Sequence, residues 1–429
     1  MLALALASIV AGAPSPARCG CAALLPPPPA TAPAPKVLTS LTIAATGDVM
    51  MHDTVQQAAA TFDVRDAKGA STNHEGFDGL YAAVAPELHR ADIAFGNLEF
   101  PVAPKAGRGT RPFVFNAAPV ALEALKAAGF RVVSCANNHA FDQGRAGLAE
   151  TVENVLAAGL DEVGAGRDRA ESEKPAFEEA RGIRVAFLAF SARFNDDLDV
   201  DDPKAPRVAR ADPAAMKQAV AAARRQADFV VVSIHWGTEY AKQPPPGEVA
   251  LAHALVDAGA GLILGSHPHV LQPLELYPAA DGRLALIAYS LGNFISNQSR
   301  LYAPGVNRDG QADTRDGALL EVTLEKRQYL AGPPRVELGP VTFVPLWTDN
   351  DALGGEGDAK LPLHIRVVTI DGALTEAQGA LQAALAAKVV DAALVATLQR
   401  RLELLSTRRA RIAERLGAQF EDLAPAATK

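Results

Sequence analysis

The chain has 429 residues, 49% hydrophobic and 21% charged, with a formal net charge of −8 at pH 7. That composition supports a sizeable core and excludes wholesale disorder. The acidic balance argues against nucleic acid as a general partner, because phosphate binding needs a basic face, but it leaves room for an anionic substrate held through metal ions.

Residues 1–13, MLALALASIVAGA, form an apolar run of signal-peptide length, too short to span a bilayer, with Ala11-Gly12-Ala13 as a cleavage candidate. No basic stretch precedes it, and the alternative is an unprocessed, disordered N-terminus. Cys19 and Cys21 invite a lipid-anchor reading, although Arg18-Cys19-Gly20 before Cys21 is a poor lipoprotein cleavage box. Residues 24–35, LLPPPPATAPAP, read as a semi-rigid polyproline II spacer. The expectation is an exported protein of the periplasm or cell envelope, with residues 1–36 as leader and linker. Cys135, in the apolar stretch VVSCA, reads as a buried thiol; no nucleophile signature surrounds it and no disulfide framework is implied.

From about Val37 the chain alternates strands and helices. Residues 41–45, 91–95, 130–135, 184–190 and 229–234 read as strands, and 80–89, 119–128, 145–158, 212–226 and 247–257 as helices. Asp142 is a candidate N-cap for the third helix, and Asp212 with Pro213 starts the fourth. A strand then ends in LILGSHPHVLQ at 262–272, where one proline separates His267 from His269 and pushes His267 toward an extended backbone. Residues 284–290, 317–324 and 336–346 read as further strands, those flanking 313–316 as an antiparallel pair. After Gly372 helical spacing takes over, at 375–388 and 391–416, with 408–415 as a solvated basic face.

The βαβα order specifies a largely parallel sheet, whose strand ends share one edge. Asp48, Asn97 with Glu99, Asn138 with His139, His235, and His267 with His269 all stand at strand ends. Carboxylate, amide and imidazole without thiolate suit one or two divalent ions, Mn, Fe, Zn or Mg. Hydrogen-bonded loop histidines are the alternative for any one motif, but five strand ends with the same chemistry favour a shared cleft. Glu239 is a candidate orienter of His235, Trp236 a packing residue, and Tyr289 and Asn293 candidates for lining the cleft.

Taken together, GDVM at 47–50, GNLE at 96–99, ANNHAFDQG at 136–144, HWGTEY at 235–240, GSHPHVLQ at 265–272 and YSLGNFI at 289–295 resemble the CapA-type capsule and poly-γ-glutamate biosynthesis family. That family looks like a branch of the calcineurin-like metallophosphoesterase superfamily. The resemblance implies an α/β fold, the layered α/β/β/α sandwich of the metallophosphoesterase type over residues 37–350, followed by a C-terminal helical extension over 351–429. It implies metal ligands at Asp48, Glu99 (the bridging anion), Asn138, His235, His267 and His269, with His139 as general acid beside the leaving group and Asp142 orienting it or capping its helix. Met50 departs from the superfamily's first motif, D-x-H, and His52 is the candidate substitute. The implied function is metal-dependent hydrolysis of an anionic polymer or phosphoester in the cell envelope, in peripheral association with a membrane biosynthesis complex. The rivals are a non-catalytic polymer-binding component and an amide hydrolase acting on γ-linked peptide.

Overall fold

The computed structural model describes residues 34–196, 202–302, 307–350 and 364–420. The signal-peptide run, Cys19, Cys21 and most of the proline spacer lie outside the described residues, as does part of the acidic loop at 195–207. In chain order the described strands are β1 (Lys36–Val49), β2 (Ile93–Leu98), β3 (Val132–Ser134), β4 (Asp161–Val163), β5 (Ala165–Gly166), β6 (Ala176–Ala180), β7 (Ile183–Ser191), β8 (Arg207–Val208), β9 (Phe229–His235), β10 (Leu262–Ser266), β11 (Leu274–Pro278), β12 (Leu284–Ala288), β13 (Asn293–Ile295), β14 (Asp316–Gln328), β15 (Arg335–Asn350) and β16 (Ile365–Thr369).

They form two large sheets rather than the single sheet that βαβα alternation suggests. The first runs β16-β15-β14-β1-β2-β3-β4, parallel from β1 to β4 and antiparallel beyond β1, with β13 set against the end of β1. The second runs β11-β12-β10-β9-β7-β6, parallel at its centre and antiparallel at both edges. Strands such as FVVVSIH in β9 are apolar almost throughout, which suits a sheet covered on both faces. In β7 alternate residues divide accordingly. Val185, Phe187 and Ala189 join the core of the first sheet, where Phe187 stacks on Phe95 at 5.9 Å. Ala186, Leu188 and Phe190 join a second core with Met216, Val220, Leu255 and Val256 from the helices Pro213–Arg224 and Pro246–Ala258. Leu80, Tyr81, Leu122 and Leu125, from Phe77–Tyr81 and Val120–Ala128, pack on the first sheet. The result is an α/β/β/α sandwich.

Several local expectations change. The helix expected at 80–89 is two pieces, Phe77–Tyr81 and Ala85–Arg90, because Pro86 has no N–H to continue the first and starts the second. Strands β12 and β14 are not an antiparallel pair. The chain crosses from the second sheet to the first through β13, and the antiparallel partners of β14 are β1 and β15. Beyond β15 the chain is not purely helical, since β16 adds an edge strand to β15 before the helices Ile370–Ala386 and Ala392–Leu416. The basic stretch at 408–415 is not a solvated face. Arg408 is buried and bonds Asp313 and Asp316, while Arg409, Arg411 and Arg415 pair with Asp371, Asp309 and Asp313. Helical periodicity reports the charges but not the carboxylates that meet them.

Candidate functional site

Strand register brings the polar residues together. Asp48, next to last in β1, lies opposite Asn97 of β2 and Asn293 of β13. The register slips between Ala45 and Asp48, and Gly292 comes so close there that a Cβ on Gly47 would lie 1.9 Å from its carbonyl oxygen. Only glycine allows that approach. In the second sheet His235 closes β9 opposite Ser266 of β10. The parallel ends of both sheets therefore meet at one cluster.

Two groups of ligand atoms form within it, Glu99 with His267 and His269, and Asp48 with Glu99 and His235, each group's atoms within 4.8 Å of one another. Glu99 belongs to both, as a bridging carboxylate would. Its Oε1 lies 3.8 Å from His235 Nε2 and 3.8 Å from His269 Nε2, too far for hydrogen bonds. His269 Nδ1 faces two acceptors, Asp48 Oδ2 at 3.1 Å and Asn293 Oδ1 at 3.0 Å, which makes Nδ1 the donor and turns Nε2 toward Glu99. Asn138 Oδ1 sits 2.8 Å from His235 Nε2, and Ser266 Oγ 2.9 Å from His235 Nδ1.

The H-P-H turn is more strained than the proline predicts. His267 is not extended; its φ is 94° and that of His269 is 57°, both in the left-handed region. The His267 amide donates to Asp48 Oδ2 at 3.2 Å, which ties this conformation to the first sheet.

The electrostatics match a cation site. Burial, reinforced by Asp48, pushes the Glu99 carboxyl well above its ordinary range. Burial and neighbouring imidazoles hold His235 well below its ordinary value and His267 at about 4, so both are neutral and have lone pairs to offer. Glu99 Oε1 and His267 Nδ1 are buried without a hydrogen-bond partner. Buried polar atoms are normally paired, and two orphans at one cluster of carboxylates and neutral imidazoles fit a divalent metal.

His139 stands beside this cluster. Its Nδ1 lies 2.8 Å from Asp142 Oδ2, and that oxygen also accepts the Phe115 amide at 2.6 Å. Asp142 is therefore the orienter of His139 and not a helix cap; the helix Gly144–Ala157 starts at Gln143 without a side-chain cap. The Phe115 ring stacks on His139 at 4.3 Å.

Other expectations divide. Trp236 packs, its indole N–H donating to the Tyr289 carbonyl, and Tyr289 turns away to bond Glu275. Asn293 does reach the cluster. Glu239 is exposed at the rim and is not bonded to His235, whose Nδ1 faces Ser266 Oγ instead. His52 joins neither ligand group; its ring packs on Phe115 at 4.8 Å. Asn97, offered by the sequence beside Glu99 as a ligand, instead donates to Asp48 Oδ1 at 2.8 Å. Sequence reasoning missed the roles of Asn137, whose side chain bonds the Leu98 carbonyl at 2.8 Å, and Asn195, whose Oδ1 accepts from Asn138 at 3.0 Å. Asn97 and Asn137 lie inside quoted motifs, but Asn195 has no signal beyond following the end of β7.

The profile described as Bacterial capsule synthesis protein PGA_cap matches residues 42–298, which span every candidate ligand. The capsule biosynthesis protein CapA of Bacillus anthracis is 32% identical over 292 residues, 66% of this chain and 64% of its own length. The chain thus spans just under two thirds of that relative. The PGA biosynthesis protein CapA of Bacillus subtilis is 32% identical over 314 residues, covering 72% of this chain and 74% of the relative. Among solved structures, the NAD nucleotidase of Haemophilus influenzae overlays with a TM-score of 0.42 at 12% identity, over 88% of this chain and 68% of that one. From the profile match and the Bacillus subtilis relative it follows that this chain belongs to the bacterial capsule synthesis protein PGA_cap family, within the metallophosphoesterase-like superfamily.

Proposed function

We propose that this chain is an exported, divalent-metal-dependent hydrolase of the cell envelope. It acts on an anionic polymer or phosphoester in the making, export or anchoring of a capsule or poly-γ-glutamate-type polymer, in peripheral association with a membrane biosynthesis complex. The observation that supports this most is the pair of ligand groups sharing Glu99, with Glu99 Oε1 and His267 Nδ1 left unpartnered. Asp48, Glu99, Asn138, His235, His267 and His269 would hold the ions. Bound there, divalent metal supplies Lewis acidity, polarising a phosphoryl or acyl oxygen. His139 lines the adjoining cavity, and with Nδ1 engaged by Asp142 its Nε2 is the atom that passes a proton to the leaving group. Envelope placement is supported by the apolar run at residues 1–13 and by the capsule family. Among the described residues no helix is long and apolar enough to cross a membrane.

Met50 favours a second reading, a non-catalytic polymer binder. It is buried in the cavity wall, where the superfamily's first motif carries a histidine.

Metal analysis of purified protein, paired with phosphoester and γ-glutamyl substrates, tests both. His139→Gln should lower kcat by ~10²–10⁴ while metal content and folding stay intact. Full metal retention in a His267→Ala, His269→Ala double variant overturns the metal assignment. A metal-loaded protein with no turnover on either substrate class leaves the binder.

A further inference from the structure

The ligand cluster divides two cavities. Asn138 and His267 line one of about 390 Å³, which also holds Arg193. His139 and His269 line another of about 600 Å³, which also holds Arg111 and Arg300. Within each of two short motifs, neighbouring residues thus face opposite cavities, and Glu239 borders both. A third cavity of about 460 Å³ continues from the second, sharing Tyr240, Gln298, Ser299 and Leu301 with it. The cluster therefore has a cavity on each side, with Glu239 at the border of both and the third cavity extending the second.

The charges at the two mouths stand out in a chain of net charge −8. Arg193, Arg111 and Arg300 are exposed, and among the described residues none of the three makes an ion pair or a side-chain hydrogen bond. The carboxylates in the same two cavities are Asp53 and Glu239. Other arginines do find a carboxylate of the chain, as Arg401 does in Asp349 and Arg131 in Glu178, although Arg225 and Arg335 do not. Arg193 also feels the Glu248 carboxylate, without an ion pair between them. Guanidiniums with no close carboxylate on both sides of a reaction centre are suited to carboxylate or phosphate groups that a substrate brings with it.

We infer that Arg193 on one side and Arg111 with Arg300 on the other hold a linear polyanion threaded across the cluster, so that the protein acts within chains and not at their ends. The inference rests on the hydrolase reading above and deepens it. A small phosphoester or a chain terminus would need cations at one mouth; a threaded chain needs them at both. Hydrolysis there breaks one backbone bond of the polymer. The hydroxyl of water goes to the acyl or phosphoryl centre and its hydrogen to the leaving nitrogen or oxygen, leaving two shorter anions.

Fluorescence anisotropy with labelled γ-linked glutamate oligomers of increasing length, and a parallel series of glycerol-phosphate oligomers, tests this on the metal-loaded protein. The two series separate carboxylate from phosphate as the repeated anion. Affinity should rise with length until both mouths are engaged, and fall with added salt. Arg193→Gln and the Arg111→Gln, Arg300→Gln pair should each weaken long oligomers about tenfold or more, the scale of one charge-assisted contact. Early products should be mid-length fragments. Loss of affinity from one side alone, or stepwise release of single units, overturns the inference. Hydrolysis of small phosphoesters without binding of either oligomer series overturns it too, yet leaves the hydrolase reading standing. Two-sided binding of long oligomers without cleavage overturns the hydrolase reading, and with it action within chains, and leaves a polymer binder.

Discussion

Two buried polar clusters lie near the same end of the first sheet, and they differ in one respect. In the clamp, Arg408 bonds both oxygens of Asp316 and Oδ1 of Asp313, while Asp313 Oδ2 takes Lys242 at 2.6 Å and Arg415 at 3.2 Å. Every carboxylate oxygen of that pair has a cation. In the ligand cluster, Asp48 is satisfied by Asn97, His267 and His269, but Glu99 Oε1 has no partner and carries like charge beside it. Both are about equally buried, so burial does not separate them. Internal completeness does: the clamp is finished by the chain itself, and the cluster requires something from outside. The two are joined, because Asn293 donates to the Thr314 carbonyl at 2.9 Å while its Oδ1 faces His269.

Removing the centre of the clamp should have the largest effect on stability. Arg408→Met leaves Asp313 and Asp316 buried with their main cation gone, which typically costs ~3–5 kcal/mol. Urea unfolding measures it, and a loss under ~1 kcal/mol would show that the clamp is not a closed unit. Burial already pushes Asp316 up to about 6 with Arg408 in place. A carboxyl above its unfolded value means the fold holds the proton more tightly than the open chain. Its contribution is therefore complete below the ordinary carboxylate range and is lost as pH rises through about 6. The deficit in Arg408→Met should accordingly be smaller at acidic pH than at neutral pH.

In the cluster the sign should reverse. Glu99→Gln replaces a carboxyl whose ionisation burial and Asp48 oppose with a neutral amide of the same shape, so in chelator the variant should be more stable than the parent, by ~1–3 kcal/mol. Added divalent metal should raise the parent's Tm and leave the variant's nearly unchanged. A variant less stable than its parent in chelator would mean Glu99 is structural, and the contrast with the clamp would fail.

What the sequence makes legible follows the same division. Strand ends carrying Asp48, Glu99, His235, His267 and His269 are readable because apolar runs stop abruptly at polar residues, and alternation with helices fixes which end they share. That the ends come from two sheets is not readable, since β7 and β9 have the same apolar pattern that a single sheet would require. The inverted His267 backbone is set by Asp48, which is distant in sequence, and local proline preference yields to it. The clamp is invisible for a related reason: Arg408 reads as one more charge on an amphipathic helix until Asp313 and Asp316 are placed beside it. Asn195 is silent because a loop asparagine has no period and no motif.

The smallest expected effect lies where the two regions touch. Lys242 is the clamp cation that lines the third, outer cavity of about 460 Å³, and its side chain is 53% exposed while that of Asp313 is 3% exposed. Water screens the lysine, and Asp313 keeps Arg408 and Arg415 when it is removed. Lys242→Ala should therefore cost no more than ~1 kcal/mol, in the range of exposed ion pairs, and the cost should shrink further in high salt. Measured beside Arg408→Met, it separates the buried bond that closes the clamp from the exposed one that only decorates it. A loss of ~3 kcal/mol or more would place the anchor of Asp313 on the cavity side, since that is the scale of a buried pair. Any ligand entering the outer cavity would then compete directly with the scaffold, and the boundary between closed clamp and open cluster would have to be redrawn through Asp313.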